Sequence, residues 1–403
     1  MTHRWKGWLT PGAAIAAAAL LAACSSGSSS SSSGSSSSGS GAGTSATSAA
    51  PGGSAGGAAS PGLAQAQKMV SQFEAMTNHY PVPTASVPGV PRFKGRTVYY
   101  IPLDAHIPGF VVTAATMKTA LAKAGLKFQE CDGQGTPTAI ASCVSQAQGA
   151  SAAGIVLDAI PYGMVNNALN AAKNKGIPII IADQYSQGAQ STNQVAYVEG
   201  VVNQPSQIAW WLIANSGGKA NAIIGEEEDS PSSIAYVQNA LPIFKRYCPG
   251  CHIVVKPITA SMSDQQITAS VTSNVQTDPG AQYYYTEFED SLQDTVSGIQ
   301  AAGKASSVGI AVAGGSVNGL GLLKSGQLVK AVVAVDQAYA GWALTDEILR
   351  MMTKSGPVTE TFPSRLFDSA NIGSIQVTSA AQASGAWFGN DSYQAEFEKL
   401  WGV

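Results

Sequence analysis

The sequence carries little charge. Asp, Glu, Lys and Arg make up only 12% of its 403 residues, and the net charge is −3. The chain therefore lacks the basic field with which a nucleic-acid-binding protein attracts phosphate groups, and we expect no nucleic acid among its partners. Apolar residues make up 45%, which is enough for a sizeable core in two domains of ordinary size.

Residues that carry catalysis or bind metals are sparse. His79, His106 and His252 are scattered without the spacing of a zinc site. The segment 314–318 reads Gly-Gly-Ser-Val-Asn and is not a nucleophile elbow, because Asn stands where the last glycine is needed. No glycine-rich loop has the spacing of a phosphate binder. We expect no catalytic residue, no metal site and no cofactor.

The apolar stretch 13–23, near the start of the chain, is too short to span a bilayer. It follows a short positive region and ends in Leu-Ala-Ala-Cys, which resembles the lipobox of bacterial lipoproteins. The resemblance implies that residues 1–23 are a signal peptide, cleaved before Cys24, and that the Cys24 thiol is acylated. A plain secretory signal or an uncleaved anchor is the alternative.

Two further segments precede the regular part of the chain. Residues 24–60 are almost wholly Ser, Gly and Ala, which cannot bury enough apolar surface to fold, so a flexible tether is predicted. Residues 61–95 form a lead-in. It contains a predicted short helix over 63–77 and four prolines between residues 81 and 91, which favour an extended chain.

Four cysteines follow Cys24. Disulfides persist outside the cytoplasm, and an even number of cysteines favours two local bridges, Cys131–Cys143 and Cys248–Cys251. A redox active site is the alternative for the second pair, which stands in Cys-Pro-Gly-Cys. That pair lies between a helix and a strand in the middle of the chain, not after a first strand, so a structural bridge is favoured.

The stretch 153–183 shows the pattern of the fold. Residues 154–157 and 177–182 are apolar at every position, as in strands buried on both faces of a parallel sheet, and apolar residues between them recur at helical spacing. This alternation occurs twice, with about four units in each half. It predicts an α/β fold of two doubly wound parallel-sheet lobes, whose ligand binds beyond the carboxyl ends of the strands, here 158–162 and 183–185.

Four short motifs, in the same order and spacing, make the chain similar to a known family. Residues 176–183, GIPIIIAD, resemble G-I-P-V-V-x-x-D, and residues 153–157 resemble D-G-I-I-x with Ala at the Asp position. Residues 322–328 resemble a segment ending I-K-x-G-x-L, and residues 108–110 stand where the family has P-F-F. The family is that of type I periplasmic binding proteins, more narrowly the ribose-binding-like substrate-binding lipoproteins of ABC importers.

The resemblance implies how the chain is divided. Three crossings between lobes would fall near 197–200, 335–337 and 367–368. Lobe one would then comprise residues 96–199 and 337–367. Lobe two would comprise residues 200–336, with the tail 368–403 beside it. A hinge of this kind closes the lobes on a ligand.

The resemblance also implies a ligand site, although most of the family's pentose-binding residues are replaced. Asp183 matches the sugar-gripping Asp and Phe110 a stacking Phe, but Gln184 replaces an Arg, and Tyr236 lies near the position of another. Because sugars need many convergent hydrogen bonds, an ordinary pyranose or ribose is disfavoured, and a ligand with an apolar or aromatic body and hydroxyl or cationic groups is favoured. The candidate ligand-binding residues are Asp104, Phe110, Tyr162, Asp183, Tyr185, Phe288, Glu289 and Asp336. Packing is the alternative role for the aromatic residues, and a hinge hydrogen bond for Asp336.

An acidic cluster occupies residues 226–229, between a strand and the helix that begins near Ser232. A cation site or a docking patch for a permease arginine is one interpretation. The simpler one is a group of carboxylates at a helix N-terminus, with Asp229 or Ser230 as the cap.

Taken together, these patterns predict a non-enzymatic, extracytoplasmic solute-binding protein. It would be a monomer held at the cell membrane by a lipid, and it would capture a small organic ligand and deliver it to an ABC permease. A sensory binding protein of the same fold, which presents ligand to a membrane receptor, is the first alternative. An extracellular hydrolase or redox enzyme is a more remote one.

Overall fold

The protein is described by a computed structural model that covers residues 60–201, 203–259, 262–389 and 392–403. The predicted signal peptide 1–23, the lipidation site Cys24 and the tether up to residue 59 lie outside these residues. Among the described residues, no helix is both long enough and apolar enough to cross a membrane.

Eleven strands and twelve α-helices make up the described chain. The strands are β1 (Thr97–Pro102), β2 (Lys127–Glu130), β3 (Gly154–Asp158), β4 (Ile179–Ala182), β5 (Val195–Val198), β6 (Asn221–Glu227), β7 (His252–Ile258), β8 (Tyr283–Thr286), β9 (Gly309–Gly314), β10 (Val329–Val335) and β11 (Ser364–Asp368). The helices are α1 (Pro61–Glu74), α2 (Pro108–Lys123), α3 (Pro137–Gly149), α4 (Asn166–Asn174), α5 (Gln204–Asn215), α6 (Pro231–Tyr247), α7 (Asp264–Thr277), α8 (Leu292–Ala301), α9 (Val317–Lys324), α10 (Gln337–Thr353), α11 (Ser379–Ala383) and α12 (Tyr393–Trp401).

The strands form two sheets, which confirms the predicted fold class. Lobe one has the order β2-β1-β3-β4-β5, with every pair parallel. Lobe two has the order β11-β10-β9-β8-β6-β7 and is parallel except for the antiparallel pair β10–β11. The apolar run of β3 is buried at every position, as is that of β4, because helices cover both faces of the sheet.

Helix α10 belongs to the first lobe, where it packs against α2. The two helices approach so closely that a Cβ at Gly341 would overlap Thr116 Oγ1 and lie 2.6 Å from the backbone N of Met117. Glycine is therefore needed at this crossing, since it alone lets the two backbones approach this closely. Helix α10 in turn contributes to the wall between the first lobe and the hinge.

Within the described residues, the chain passes between the lobes five times. Helix α1 packs in the second lobe and the lead-in then enters the core of the first, where Val87 and Val90 are buried. Further passes precede α5, α10 and β11, and a last one lies between Phe388 in the second core and Tyr393 in the first. The lead-in and the C-terminal tail therefore each add a pass to the three expected from the family resemblance.

Two of the expected boundaries differ in the structure. The third crossing lies before Ser364 and not at 367–368, because β11 pairs with β10 and so belongs to the second lobe. The tail does not stay beside the second lobe. Helix α12 instead buries Phe397 and Trp401 in the core of the first, where Trp401 stacks on Trp342 with ring centroids 5.6 Å apart.

Both expected disulfides are present. Cys131–Cys143 joins the loop after β2 to α3, and Cys248–Cys251 closes the loop between α6 and β7. Cys248 is buried, and the Cys251 sulfur lies 3.2 Å from the backbone N–H of Ala220, which donates to it. The second bridge thus fastens the start of β7 beside β6, which is a structural use.

Candidate functional site: a carboxyl-lined cavity between the lobes

A cavity of about 310 Å³ lies between the two lobes, beyond the carboxyl ends of the strands. Its size falls within the range of small-molecule sites. Lobe one contributes Leu103, Ile107, Phe110, Met164, Asp183 and Gln184 to the wall, lobe two contributes Glu227, Tyr236, Phe288, Glu289, Asp290 and Ser316, and the C-terminal tail contributes Gln382, Trp387 and Phe388. The wall therefore combines apolar and aromatic side chains with several carboxyl groups.

The structure brings together four of the eight candidate ligand-binding residues in this wall. They are Phe110, Asp183, Phe288 and Glu289. The other four lie outside the wall. Tyr162 donates its hydroxyl to Asn170 Oδ1 at 2.8 Å, and the backbone N–H of Tyr185 donates to Ser232 Oγ at 3.0 Å. Whether these four meet a ligand stays a prediction.

Asp104 lies on an exposed loop. Its Oδ1 accepts from the backbone N–H of His106 at 2.8 Å and is 3.0 Å from His106 Nδ1. Together with Asp132 from the loop after β2, these residues place one ligand atom each within 4.8 Å of one another, which a metal ion could use. Asp132 is already engaged, since backbone N–H groups of Ala105 and Gln134 donate to it and lower its pKa. The expected absence of a metal site stays a prediction.

Asp336 lies at the hinge and is fully buried. Its Oδ1 accepts from the backbone N–H groups of Ala338 and Tyr339, both at 3.0 Å, and so caps α10. Its Oδ2 accepts from the Tyr80 hydroxyl of the lead-in at 3.0 Å. Burial raises the pKa of Asp336 to about 7, against these hydrogen bonds, which lower it. The carboxyl thus makes the hinge contact that the sequence left as an alternative to ligand binding.

Two aspartates meet where β3 and β4 end. The Tyr100 hydroxyl donates to Asp158 Oδ2 at 2.6 Å, and the carboxyl groups of Asp158 and Asp183 are hydrogen-bonded to each other. Such a contact needs one shared proton, because two ionised carboxylates only repel. Burial raises the pKa of Asp158 to about 6, and burial together with the neighbouring charge raises that of Asp183 well above its ordinary value.

The backbone is strained at the same place. Asp183 has a φ of 53° and Ala159, which follows Asp158, has a φ of 57°. Residues other than glycine adopt this left-handed conformation at a cost of roughly 1–2 kcal/mol. Strain of this kind persists where the surrounding structure holds the residue in place, and it is concentrated at binding sites. The two strand ends therefore have the features of a functional site.

Glu289 presents its carboxylate to the start of α9. The backbone N–H groups of Ser316 and Gly319 donate to it at 2.7 and 2.8 Å, and the Ser316 hydroxyl donates as well. A negative charge at this position is favoured by the orphan N–H groups and the dipole of the helix. Glu289 therefore forms part of the wall, while its carboxylate oxygens accept hydrogen bonds from the start of α9.

The acidic cluster lies partly inside the sheet. Glu226 and Glu227 are the last residues of β6, and both are buried. Glu227 lines the cavity, where its Oε1 accepts from the Ser291 hydroxyl at 3.3 Å, and its backbone N–H donates to Glu287 Oε2 at 2.7 Å. Burial raises the pKa of Glu227 to about 9 and that of Glu287 well above its ordinary value. Ser230 and not Asp229 caps α6.

Two hydrogen bonds join the lobes beside the cavity. The Tyr236 hydroxyl of α6 donates to the carbonyl oxygen of Asp183 at 2.8 Å, and Tyr185 is joined to Ser232 as described above. Tyr236 is buried, and this burial raises its pKa. These contacts close the loop after β4 onto the second lobe.

Sequence reasoning missed several parts of the wall. Tyr236 was noted only near the position of an absent Arg, and Glu227 only as part of an acidic cluster. Successive side chains of a strand point to opposite faces of the sheet. Extending β6 to residue 227 would therefore have placed Glu227 on the opposite face from Glu226 and could have identified it. Trp387 and Phe388 come from the tail, where no motif indicated a return to the cleft.

Comparison with known proteins agrees with this architecture. Residues 98–355 match the family described as periplasmic binding protein domain. No curated protein matches the chain in sequence.

Solved structures with the same fold are distant in sequence. A 5-methylthioribose transporter solute binding protein from Thermotoga lettingae, in complex with 5-methylthioribose, has a TM-score of 0.64 and 14% identity, over 76% of this chain and 98% of that one. The Caulobacter myo-inositol binding protein, bound to myo-inositol, has a TM-score of 0.61 and 18% identity, over 73% and 98%. A protein from Mycobacterium smegmatis in complex with β-D-fucofuranose has a TM-score of 0.60 and 17% identity, over 73% and 98%.

Proposed function

The chain belongs to the periplasmic binding protein domain family, and we propose that it captures a small organic solute between its two lobes and delivers it to an ABC importer. The ligand is sugar-like, or an aromatic or cationic solute. The observation that carries the proposal is the cavity itself, which takes side chains from both lobes and is bridged by the hydrogen bond from Tyr236 to Asp183. A ligand held there would stabilise the closed arrangement of the lobes.

The protein would act at the outer face of the cell membrane. Acylation of Cys24 would anchor it, and the Ser/Gly-rich tether that follows would let the folded part move about 35 Å from the anchor, as expected for a flexible chain of that length. Described residues of one polypeptide line the cavity from both lobes, which supports action as a monomer. The protein performs no chemistry in this scheme, because binding and release follow from the opening and closing of the lobes.

The test is a thermal-shift screen of the mature, unlipidated chain against pentoses, hexoses, cyclic polyols, aromatic acids and amines. A ligand that binds only the folded state raises the melting temperature by mass action, by an amount equivalent to about 2.7 kcal/mol at one hundred times Kd. Phe288→Ala removes an aromatic side chain from the wall and should abolish the shift. Glu396→Gln, at an exposed site of α12 outside the wall, should leave it unchanged. A panel without any hit, or a shift that survives Phe288→Ala, would contradict binding in this cavity.

A further inference from the structure

We infer that the cavity takes an organic cation, namely a small amine with an apolar body whose ammonium group lies among carboxyl groups of both lobes. This inference rests on the proposed function as a solute-binding protein and specifies the class of its ligand.

The charges of the wall are the first argument. Asp183 from lobe one and four residues from lobe two bring five carboxyl groups to the cavity. The four are Glu227, Asp229, Glu289 and Asp290. No Lys, Arg or His stands among the described residues that line it. A cavity with acidic groups and without a basic one offers no positive charge to an anion, whereas its carboxyl groups can ionise and pair with a cation, and water exclusion strengthens that pairing.

The hydrogen-bonding groups of the wall are the second argument. Gln184 is 6% exposed, and its Nε2 donates to the carbonyl oxygen of Asp183 at 3.1 Å. Its Oε1 is buried and accepts no hydrogen bond from the described residues, and Asp183 Oδ1 accepts none from an N–H or a hydroxyl. Buried acceptors of this kind are matched by an ammonium group, which has only donors, better than by a sugar hydroxyl, which is also an acceptor.

The rest of the wall defines the body of the ligand. Leu103, Ile107, Phe110 and Met164 form an apolar surface on lobe one, and Phe288 and Trp387 face the cavity from the other side. Such surfaces suit an aliphatic or aromatic group. Aromatic faces also favour a nearby cation. An amine with a short hydrophobic body would therefore use both parts of the wall.

The groups around the buried carboxyls of Asp183 and Glu227 supply no positive charge. Asp183 is surrounded by Asp158, by the hydroxyl of Tyr100 behind it and by Tyr236, with Glu199 nearby. Glu227 is surrounded by further acids and a tyrosine, namely Glu226, Asp229, Glu287, Asp290 and Tyr285. Since none of these is a base, the carboxyl groups stay neutral in the free protein well above their ordinary pKa values.

Binding of a cation would therefore release protons. A nearby ammonium group favours the ionised carboxylate and lowers the raised pKa values of Asp183 and Glu227. Affinity should then increase as the pH rises towards about 9, the pKa of Glu227 in the free protein. This lies below the range where an alkylamine itself loses its proton, near 10. A neutral polyol would release none.

The test compares three probes with the same phenyl body on the mature, unlipidated chain: 2-phenylethylamine, 2-phenylethanol and phenylacetate. Calorimetry at pH 7 in phosphate and in Tris, whose ionisation enthalpies differ, measures proton release with binding. We expect the amine to bind at least tenfold more tightly than the alcohol and to release protons on binding. The ratio of its affinity to that of the acid should be larger still. Ribose and myo-inositol are titrated in parallel.

Two variants locate the interaction. Asp183→Asn and Glu227→Gln keep the shape of each side chain, and each should weaken amine binding at least tenfold while alcohol binding stays within threefold. Glu396→Gln, at an exposed site of α12, is the control and should bind like the parent. Melting curves establish that each variant is folded.

The outcomes separate the two claims. If the alcohol binds as tightly as the amine, or if both variants bind the amine as the parent does, the cation inference is overturned. Binding of ribose or myo-inositol without amine binding overturns it too, but leaves the proposed solute-binding function standing. Failure of the amine together with every sugar, polyol and aromatic acid of the thermal-shift panel would overturn both.

Discussion

The hydroxyl of Tyr236 donates a hydrogen bond of 2.8 Å to the carbonyl oxygen of Asp183, across the boundary between the two lobes. The acceptor belongs to the residue whose carboxyl lines the cavity. The donor is carried by α6, the helix that follows the acidic end of β6. One contact therefore joins the second lobe to a residue of the cavity wall.

Removing this contact should loosen the closed arrangement. In Tyr236→Phe the Asp183 carbonyl oxygen loses one of its two donors, since Gln184 Nε2 still donates to it, while the ring remains. The free energy of unfolding should therefore fall by about 1 kcal/mol. The radius of gyration in solution scattering should rise, because an interlobe bond is lost. Chemical denaturation and small-angle scattering measure the two effects.

Tyr162→Phe is the matched control, because its hydroxyl bonds Asn170 within lobe one. It should change the free energy of unfolding by less than about 0.5 kcal/mol and leave the radius unchanged. Equal effects of the two substitutions would show that Tyr236 has no special part in closure.

Ligand-free protein should lose stability as pH rises from about 4 to about 9. Burial raises the pKa of Asp158 to about 6, of Asp336 and Glu347 to about 7 and of Glu227 to about 9. When the pH lies between a group's pKa in the unfolded state and its higher pKa in the folded state, the group binds more protons in the folded state than in the unfolded one. The free energy of unfolding therefore falls with pH through that interval and is constant above it.

Asp158→Asn should flatten this dependence. The side-chain amide oxygen can still accept from Tyr100, while the carboxyl pair with Asp183 is lost. A rise in the pKa of Asp158 from 3.8 to about 6 corresponds to a change of roughly 3 kcal/mol in the free energy of unfolding. The variant should therefore lose less stability than the parent between about pH 4 and pH 6, as measured by denaturation at each pH. Parallel curves for parent and variant would refute a role of the pair in this loss.

Gly200 should not tolerate a side chain. It lies in the first pass after β5, where a Cβ would overlap the Phe362 ring and lie 2.7 Å from Asp183 Oδ1. Gly200→Ala should lower the free energy of unfolding by about 1–3 kcal/mol, as overpacking does, and displace the Asp183 carboxyl. Gly163→Ala, where a Cβ would meet no atom within 4 Å, should change it by less than about 0.5 kcal/mol. Similar losses for both would mean that crowding at Gly200 is relieved by movement of Phe362.

The sequence predicted the features that local patterns control. Fully apolar runs identified β3 and β4, and close spacing identified both disulfides. Helix α12 could be predicted from Tyr393, Phe397 and Trp401 at helical spacing, but not the lobe it packs on, because an apolar stripe does not specify its partner.

The site was predictable only where a motif or a strand end indicated it. Asp183 follows a recognisable strand, and Phe110 follows the first one. Glu227 was hidden because the end of β6 carries charges that are typical of an exposed loop. Their surroundings include Gln238 of α6 and Glu287 and Ser291 after β8, which are distant in the sequence. The same holds for Trp387, which reaches the cavity only after the chain has returned from β11.

The lead-in and the tail each add a connection between the two lobes. Two lobes joined by five lengths of chain, with Tyr80 of the lead-in bonded to Asp336, should sample only a narrow range of openings when empty. Less conformational freedom is then lost when a ligand binds. The entropy cost of binding is therefore smaller, and the affinity is higher. The radius of gyration should accordingly change less with ligand in the parent than in Tyr236→Phe, which has lost an interlobe hydrogen bond. A wide opening of the empty form in solution scattering would instead show that these segments detach.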